Sequence, residues 1–158
     1  MSEEDKAFAT LILAAGKGTR MKSDLVKVLH PVAGRPMLDY VLNLAERMGS
    51  SRIAVIVGHQ AELVEARYGS RGLAFVYQRE QLGTGHAVLQ AAEAFKDYWG
   101  TILILCGDVP LLRASTIREL MDRHRASGAA LTVLTTLLED PFGYGRIVKD
   151  AGGNVLGI

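Results

Sequence analysis

Five short apolar runs constrain the fold of this chain more than any other feature of its sequence. Two of them, Ile53–Val57 and residues 102–105, contain only aliphatic side chains. An uninterrupted run of this kind is typical of a strand buried on both faces of a parallel sheet. We therefore predict strands over residues 8–13, 52–57, 73–77, 101–105 and 131–137.

Helical patterns separate most of these runs. After Pro36, apolar residues recur every three or four positions and give one apolar face, and Gly49 suits the end of this helix. Thr116 and Glu119 have the spacing of a capping box, which predicts that a later helix begins there. Helices are thus expected over residues 36–48, 61–68 and 87–95, and after Thr116.

Strands that alternate with helices predict an α/β fold with a mostly parallel sheet flanked by helices. Ligands of such sheets bind beyond the carboxyl ends of the strands. The end of the chain instead predicts an antiparallel hairpin of residues 146–149 and 155–158. The loops expected at the ligand edge are residues 14–27, 58–59, 78–85 and 106–110.

Composition excludes several classes of protein. The 158 residues, 49% hydrophobic and 22% charged, suit one globular domain, and a net charge of +1 argues against a dedicated nucleic-acid binder. The single cysteine, Cys106, cannot form an internal disulfide, and no apolar run is long enough to span a membrane. The acidic N-terminus does not resemble a signal peptide, so we expect a cytoplasmic protein.

A glycine-containing loop follows the first predicted strand. Gly16 and Gly18 permit backbone conformations in which N–H groups point at an anion. A strand, a glycine loop and spaced cations are typical of a polyphosphate site, although a solvated basic loop is the alternative. Met21 stands where the dinucleotide fingerprint needs its third glycine, and the P-loop pattern is absent. The cations are Lys17, Arg20, Lys22 and Lys27.

Two polar residues follow predicted strands at the ligand edge. The amide of Gln78 has a donor and an acceptor for a pyrimidine edge, and Gly83 and Thr84 are candidates for the same ring. The alternative is a turn glutamine and a helix cap at Thr84. Asp108 is a candidate magnesium ligand, because Mg²⁺ favours one or two carboxylates with phosphate oxygens. A turn aspartate is its alternative.

Other reactive side chains carry less information. Cys106 lies in an apolar run, where a buried thiol fits the strand, and no activating base adjoins it in sequence, so we do not expect a nucleophile. The histidines lack metal-ligand spacing and are expected to be structural. They are His30, His59, His86 and His124.

Four ordered motifs resemble the sugar-phosphate nucleotidyltransferases. They are L-x-x-G-x-G-T-R-M-x-S-D-x-x-K from Leu13 to Lys27, Gln78 with QLGTGHA at 81–87, GDVP at 107–110 and GYGRI at 143–147. The resemblance covers about Ala9 to Ile158 and is strongest to the uridylyltransferase half of bacterial bifunctional enzymes that make UDP-N-acetylglucosamine. It implies a Rossmann-like nucleotidyltransferase fold and Mg²⁺-dependent uridylyl transfer from UTP to N-acetylglucosamine 1-phosphate, with pyrophosphate released.

The resemblance also implies roles for single residues. Arg20 and Lys27 are the implied catalytic residues, Asp108 is the implied metal ligand, and Gly145 lets the chain pass close to the sugar. Cys106 departs from the family pattern, which often has tyrosine before the Gly-Asp pair. The implied nucleotide- and substrate-binding residues are Leu13, Ala14, Ala15, Gly16, Lys17, Gly18, Lys27, Gln78, Gln81, Gly83, Thr84, Cys106, Gly107, Asp108 and Gly145.

The resemblance further predicts that residues 1–158 are the N-terminal part of a nucleotide-diphospho-sugar transferase domain, truncated at its C-terminal side. Family members continue with residues for sugar and metal and with a β-helix acetyltransferase domain, through which the parent is expected to be homo-oligomeric. We therefore expect little turnover from these residues alone. Two rival hypotheses are a nucleotidyltransferase that uses dTTP or CTP with another sugar or alcohol phosphate, and a non-catalytic nucleotide-binding module.

Overall fold

The computed structural model describes residues 7–18 and 21–157, which form two compact units. The first unit, within residues 1–117, alternates strands with helices as predicted. In chain order its elements are β1 (Phe8–Leu13), the short strands β2 (Pro31–Val32) and β3 (Arg35–Pro36), α1 (Met37–Arg47), β4 (Ile53–Val57), α2 (Ala61–Tyr68), β5 (Ala74–Tyr77), α3 (Thr84–Gln90) and β6 (Thr101–Cys106).

Four strands form a parallel sheet in the order β5-β4-β1-β6. This arrangement confirms the predicted fold class and the first four predicted strands. The chain passes from β1 outward to β4 and β5 and then returns to pair β6 with the other side of β1. Open α/β sheets bind ligands where the strand order reverses in this way, at the carboxyl ends of the strands.

Helices cover the two faces of the sheet. Ala87 and Ala91, in and just after α3, pack with Phe95 against Leu11 of β1 and Ile56 of β4. The connections through α1 and α2 run from β1 toward β5, whereas the connection through α3 runs back from β5 to β6. Because such crossovers are right-handed, α1 and α2 cover the other face.

The strand β6 is buried on one face only, whereas its wholly apolar sequence predicts burial on both. Leu103 and Leu105 are buried, but Ile102, Ile104 and Cys106 are exposed. In the described sheet β6 is an edge strand, and its exposed side chains share the face on which α3 packs over β1 and β4. The prediction of a buried thiol at Cys106 is therefore wrong, because α3 does not extend over the edge strand.

The second unit comprises residues 118–158. It contains most of α4 (Ala114–Ser127), which begins in the first unit, and an antiparallel hairpin of β7 (Val148–Lys149) and β8 (Val155–Gly157). The hairpin confirms the predicted one. Its turn is fixed by Asp150, whose carboxylate accepts hydrogen bonds from the backbone and side-chain N–H groups of Asn154 at 2.8 and 2.9 Å.

Two predictions in this part of the chain are wrong. Residues 131–137 form no strand, because an apolar run becomes a strand only by pairing its backbone, and no described strand pairs with it. The helix α4 begins before Thr116, which lies in the first turn rather than at the cap. The N–H of Ile117 already donates to the carbonyl of Arg113 at 3.2 Å, so the helix starts near Arg113.

In the parts of the chain that the structure describes, no helix combines the length and the apolar character needed to cross a membrane.

Candidate functional site

Backbone hydrogen bonds extend the sheet past its strands and bring the predicted loops together. The N–H of Ala14, after β1, donates to the carbonyl of Ile56 in β4 at 2.9 Å. The N–H of Gln78, after β5, donates to the last residue of β4 at 2.8 Å, and that of Gly107, after β6, donates to Leu13 at 2.9 Å. The three motifs therefore begin side by side at one edge of the sheet, as predicted.

A cavity of about 370 Å³ opens at this edge. Its volume is within the range of small-molecule sites in proteins. The loops after β1 and β5, the start of α3 and the end of β6 all contribute to its wall. The predicted residues that line it are Leu13, Ala14, Ala15, Gly16, Lys27, Gln78, Gln81, Gly83, Thr84, Cys106 and Asp108.

The other predicted residues do not line this cavity. Lys17 is exposed and lies outside the cavity lining. Gly18 packs against Lys27, and Gly107 packs against Leu13 and Val28, but neither glycine lines the cavity. Gly145 belongs to the second unit, where it adjoins a turn closed by a hydrogen bond from the N–H of Tyr144, and its contact with a sugar stays a prediction. Arg20, the implied catalytic arginine, lies outside the described residues.

One side of the cavity, the charged wall, is formed by Lys27 and Asp108. The Nζ of Lys27 donates to Oδ2 of Asp108 at 2.5 Å. The two side chains are 37% and 32% exposed, so solvent and ligands reach the pair. An anion entering the cavity competes for the lysine, and a cation competes for the aspartate.

The glycines beside this wall have different physical roles. Gly18 adopts a φ of +62°, and a Cβ there would lie 2.8 Å from the Cβ of Lys27. A Cβ on Gly107 would lie 3.1 Å from the carbonyl oxygen of Leu13. Gly16, in contrast, has nothing within 4 Å of its would-be Cβ and lines the cavity. Gly18 therefore positions Lys27 by close approach, and Gly16 leaves room for a ligand.

Another side of the cavity, the amide wall, is formed by Gln78 and Gln81, and His86 contacts Gln78 without lining the cavity. Gln78 is only 5% exposed, and its Nε2 donates to the carbonyl of Gly83 at 3.2 Å. The same Nε2 lies 3.1 Å from Nδ1 of His86. The Nε2 of Gln81 donates to the carbonyl of Ala15 at 2.8 Å and so ties the loop after β5 to the glycine loop.

The structure shows that Thr84 is not the N-cap of α3, which was the alternative role for this residue. Gly83 occupies the N-cap with a φ of +99°, and Thr84 is the first helical residue. The Gly83 carbonyl accepts the helical N–H of Ala87 at 3.1 Å as well as the Gln78 amide. The predicted glutamine, glycine and threonine are thus held in one fixed turn at the cavity.

Cys106 lines the cavity from the end of β6. Cys106 is exposed at its surface but partly desolvated, and this partial desolvation raises the pKa of its thiol, the carboxylate of Asp108 raises it further, and the ammonium of Lys27 lowers it. The thiol is therefore neutral at ordinary pH, which agrees with the expectation that it is not a nucleophile.

The structure adds three lining residues that were not among the predicted site residues. Val28, Ile56 and Ala87 complete the wall. Their apolar side chains predict only a core, because nothing in the sequence separates a core position from the floor of a cavity. His86 lies within the motif at 81–87 and was expected to be structural, and it contacts the amide of Gln78.

Comparisons with known proteins agree with this geometry. Residues 10–148 match the family model described as a MobA-like NTP transferase domain. The bifunctional protein GlmU of Geobacter metallireducens is 57% identical over 152 residues, which are 96% of this chain and 32% of that protein. The chain thus spans about a third of the length of this curated relative.

Two solved structures have a similar fold. A nucleotidyl transferase from Methanothermobacter matches with a TM-score of 0.61 at 20% identity, over 73% of this chain and 57% of that chain. The Rv0371c protein of Mycobacterium tuberculosis, in complex with manganese, also matches with a TM-score of 0.61, at 25% identity over 76% of this chain and 60% of that chain.

A parallel sheet with a reversal of strand order, a cavity at its carboxyl edge and a family match over most of the chain lead to one conclusion. The chain belongs to the family of MobA-like NTP transferase domains and is a nucleotidyltransferase domain.

Proposed function

We propose that the cavity binds a uridine nucleoside triphosphate, with the base on the amide wall and the phosphates on the charged wall. The observation that carries this proposal is the meeting of Lys27, Asp108, Gln78 and Gly83 in one cavity of suitable size. A cation and a nearby carboxylate suit a triphosphate with its counterion, and a buried amide suits a base edge.

The orientation of Gln78 supports uracil as the base. Its Nε2 is engaged with Gly83 and His86, and among the described residues its Oε1 has no hydrogen-bond partner. A free acceptor complements the N3 donor of uracil, and we propose that the backbone N–H of Gly83 meets the neighbouring O4 acceptor. Cytosine has the reverse order in the same pose, and a site that hydrogen-bonds its ligand rejects such a mismatch.

The residues present also fit a divalent cation. Asp108 supplies one carboxylate, and the described residues include no cluster of three or more histidine, cysteine or acidic side chains that would hold a metal alone. One carboxylate with phosphate oxygens is the ligand set that Mg²⁺ prefers, so Mg²⁺ is the proposed ion. Bound there, the ion neutralises phosphate charge.

We infer uridylyl transfer to N-acetylglucosamine 1-phosphate as the reaction of the whole protein. An oxygen of the sugar phosphate attacks the α-phosphorus of UTP, the bond from that phosphorus to its bridging oxygen breaks, and pyrophosphate leaves with the electron pair. Lys27 holds a phosphate oxygen as charge develops, and Arg20 is proposed to do the same. The four sequence motifs and the identity to bifunctional GlmU proteins support this reaction.

The matched share of these relatives supports a further proposal about the chain. We propose that residues 1–158 correspond to the N-terminal part of a nucleotide-diphospho-sugar transferase domain, which holds the nucleotide, while Gly145 faces the sugar.

Isothermal titration calorimetry with UTP, dTTP and CTP tests the nucleotide. We expect UTP to bind most tightly in the presence of MgCl₂ and CTP to bind least, because dTTP keeps the N3 donor and CTP lacks it. A clear preference for CTP, or no binding of any triphosphate, would overturn the proposal.

The substitution Asp108→Asn tests the metal ligand. We expect MgCl₂ to tighten UTP binding to the wild-type chain and to have little effect on the variant, because the amide is a weaker ligand without charge. The matched control is Asp97→Asn, an exposed aspartate outside the cavity lining, which should keep the magnesium effect. An unchanged magnesium effect in Asp108→Asn would contradict the assignment.

A further inference from the structure

The side chain of Gln78 is held in one of its two amide orientations. Its Nε2 lies 3.2 Å from the carbonyl oxygen of Gly83, which is only an acceptor. If the amide turned over, Oε1 would face that carbonyl and two acceptors would repel each other. The backbone therefore fixes one N–H of the amide, and the second N–H points to another partner.

That partner is His86, whose Nδ1 lies 3.1 Å from Nε2 of Gln78. Since the amide nitrogen is a donor, Nδ1 must accept, and the ring proton of the neutral imidazole is on Nε2. The amide of Gln90 lies on that side, with its nitrogen 3.1 Å from Nε2 of His86. Gln90 is exposed, so its amide is able to turn over. Its oxygen then accepts the hydrogen bond from the Nε2 proton of His86.

We propose that His86 is a positioning residue that sets the base selectivity of the cavity. This inference rests on the proposed uridine site. His86 touches the amide of Gln78 and not the base, and by accepting its second N–H it leaves Oε1 as the polar atom available to the ligand. The histidine thus selects a base with a donor at N3.

The alternative orientation explains why the second hydrogen bond matters. Without His86, one N–H of Gln78 loses its partner, and the amide keeps only the bond to Gly83. Rotation of the amide then opposes the bond to Gly83 alone rather than two hydrogen bonds, and the rotated amide presents an N–H to the ligand, which matches the N3 acceptor of cytosine. A variant without an acceptor at position 86 should therefore discriminate less between UTP and CTP, even if it binds both.

The experiment measures the ratio of UTP to CTP affinity by calorimetry with the full 158-residue chain in MgCl₂. In His86→Phe, which keeps a ring but no acceptor, we expect the preference for UTP to fall roughly tenfold, the effect of one lost buried hydrogen bond. In His86→Asn, the side-chain oxygen takes about the place of Nδ1 and should restore most of the preference.

The matched control is Gln90→Ala, which removes the exposed contact on the other side of the ring. Water replaces an exposed amide, so the ratio should stay within about twofold of the wild type. A thermal melt of each variant checks that the fold is intact.

A double-mutant cycle separates orientation from simple packing. In a Gln78→Ala background, His86→Phe should change the UTP to CTP ratio by less than about twofold, because the amide that it orients is absent. An equal effect in both backgrounds, or an unchanged preference for UTP in His86→Phe, would overturn the role of His86 while the uridine site stands. If the wild-type chain has no preference for UTP, the proposed function itself fails.

Discussion

The charged wall and the amide wall face the same cavity but are built in different ways. Lys27 and Asp108 are held mainly by each other, across 81 positions of sequence, and both are partly exposed. Gln78 is buried, and its Nε2 contacts Gly83 and His86, which lie within eight positions of it. The charged wall is thus a long-range ion pair, whereas most of the amide wall is a local turn.

This difference predicts how each wall meets a ligand. An ion pair near the surface exchanges partners at small cost, because solvent screens its charges. A phosphate is therefore able to draw Lys27 away from Asp108 without disturbing the sheet. A buried amide with both N–H groups engaged is fixed before the ligand arrives, and it recognises a base by geometry rather than by charge.

Removal of the lysine should have the largest effect. We expect Lys27→Met to weaken UTP binding roughly 10- to 100-fold, because a hydrogen bond to a charged group contributes about 1.5–3 kcal/mol. The loss should shrink as salt concentration rises, since the lysine acts through its charge. Calorimetry over a series of NaCl concentrations measures both effects.

The control for this prediction is Lys96→Met. Lys96 is exposed, outside the cavity lining, and pairs with Glu93 three positions earlier. UTP affinity should remain within about twofold of the wild type, as for other exposed ion pairs. Equal losses in the two variants would show that net charge, and not the charged wall, attracts the nucleotide.

Two glycine substitutions test the backbone beside the charged wall. Gly18→Ala should destabilise the chain by about 1–3 kcal/mol, because the residue has a φ of +62° and its new Cβ would lie 2.8 Å from Lys27. Gly16→Ala has open space and no positive φ and should change stability little. Urea unfolding followed by circular dichroism measures the difference, and equal stabilities would contradict the close approach at Gly18.

A smaller effect is expected where the amide wall reaches the glycine loop. Gln81→Ala removes the hydrogen bond to the carbonyl of Ala15 and should reduce stability by about 1 kcal/mol, with a modest loss of UTP affinity. Glu80→Ala is the control, since this neighbouring side chain is exposed and lies outside the cavity lining. The same urea titration compares them. An equally large loss of stability in Glu80→Ala would mean that the loop after β5 as a whole, and not this hydrogen bond, contributes to stability.

The smallest effect should appear in the chemistry of Cys106. Partial desolvation and then Asp108 raise the pKa of its thiol, so the reactive thiolate forms at a higher pH than in a free cysteine. Alkylation by iodoacetamide should therefore be slower than that of free cysteine at neutral pH and should accelerate as pH rises. The chain has one cysteine, so mass spectrometry follows this site alone.

Substitutions in the charged wall should shift this reaction in opposite directions. Asp108→Asn removes a cause that raises the pKa of Cys106 and should speed alkylation, whereas Lys27→Met removes a cause that lowers it and should slow alkylation. Changes of the same sign in both variants would mean that access to the cavity, rather than charge, controls the thiol.

Much of the fold was predictable because its signals are local. The strand β1 has the predicted bounds, α2 does also, and the hairpin of β7 and β8 forms around the expected turn. The predictions that were wrong depend on distant partners. Residues 131–137 have a strand-like composition but no described strand to pair with, and the exposed face of β6 depends on how far α3 reaches.

The sequence by itself determined the parallel sheet and the edge of the sheet at which its loops meet. These follow from the period of apolar side chains and from strand direction, which are properties of short segments. Only the tertiary structure decided that Lys27 meets Asp108, that Gly18 packs against Lys27 and that His86 orients Gln78. Such contacts depend on angstrom-scale distances between segments, and no residue pattern within one segment encodes them.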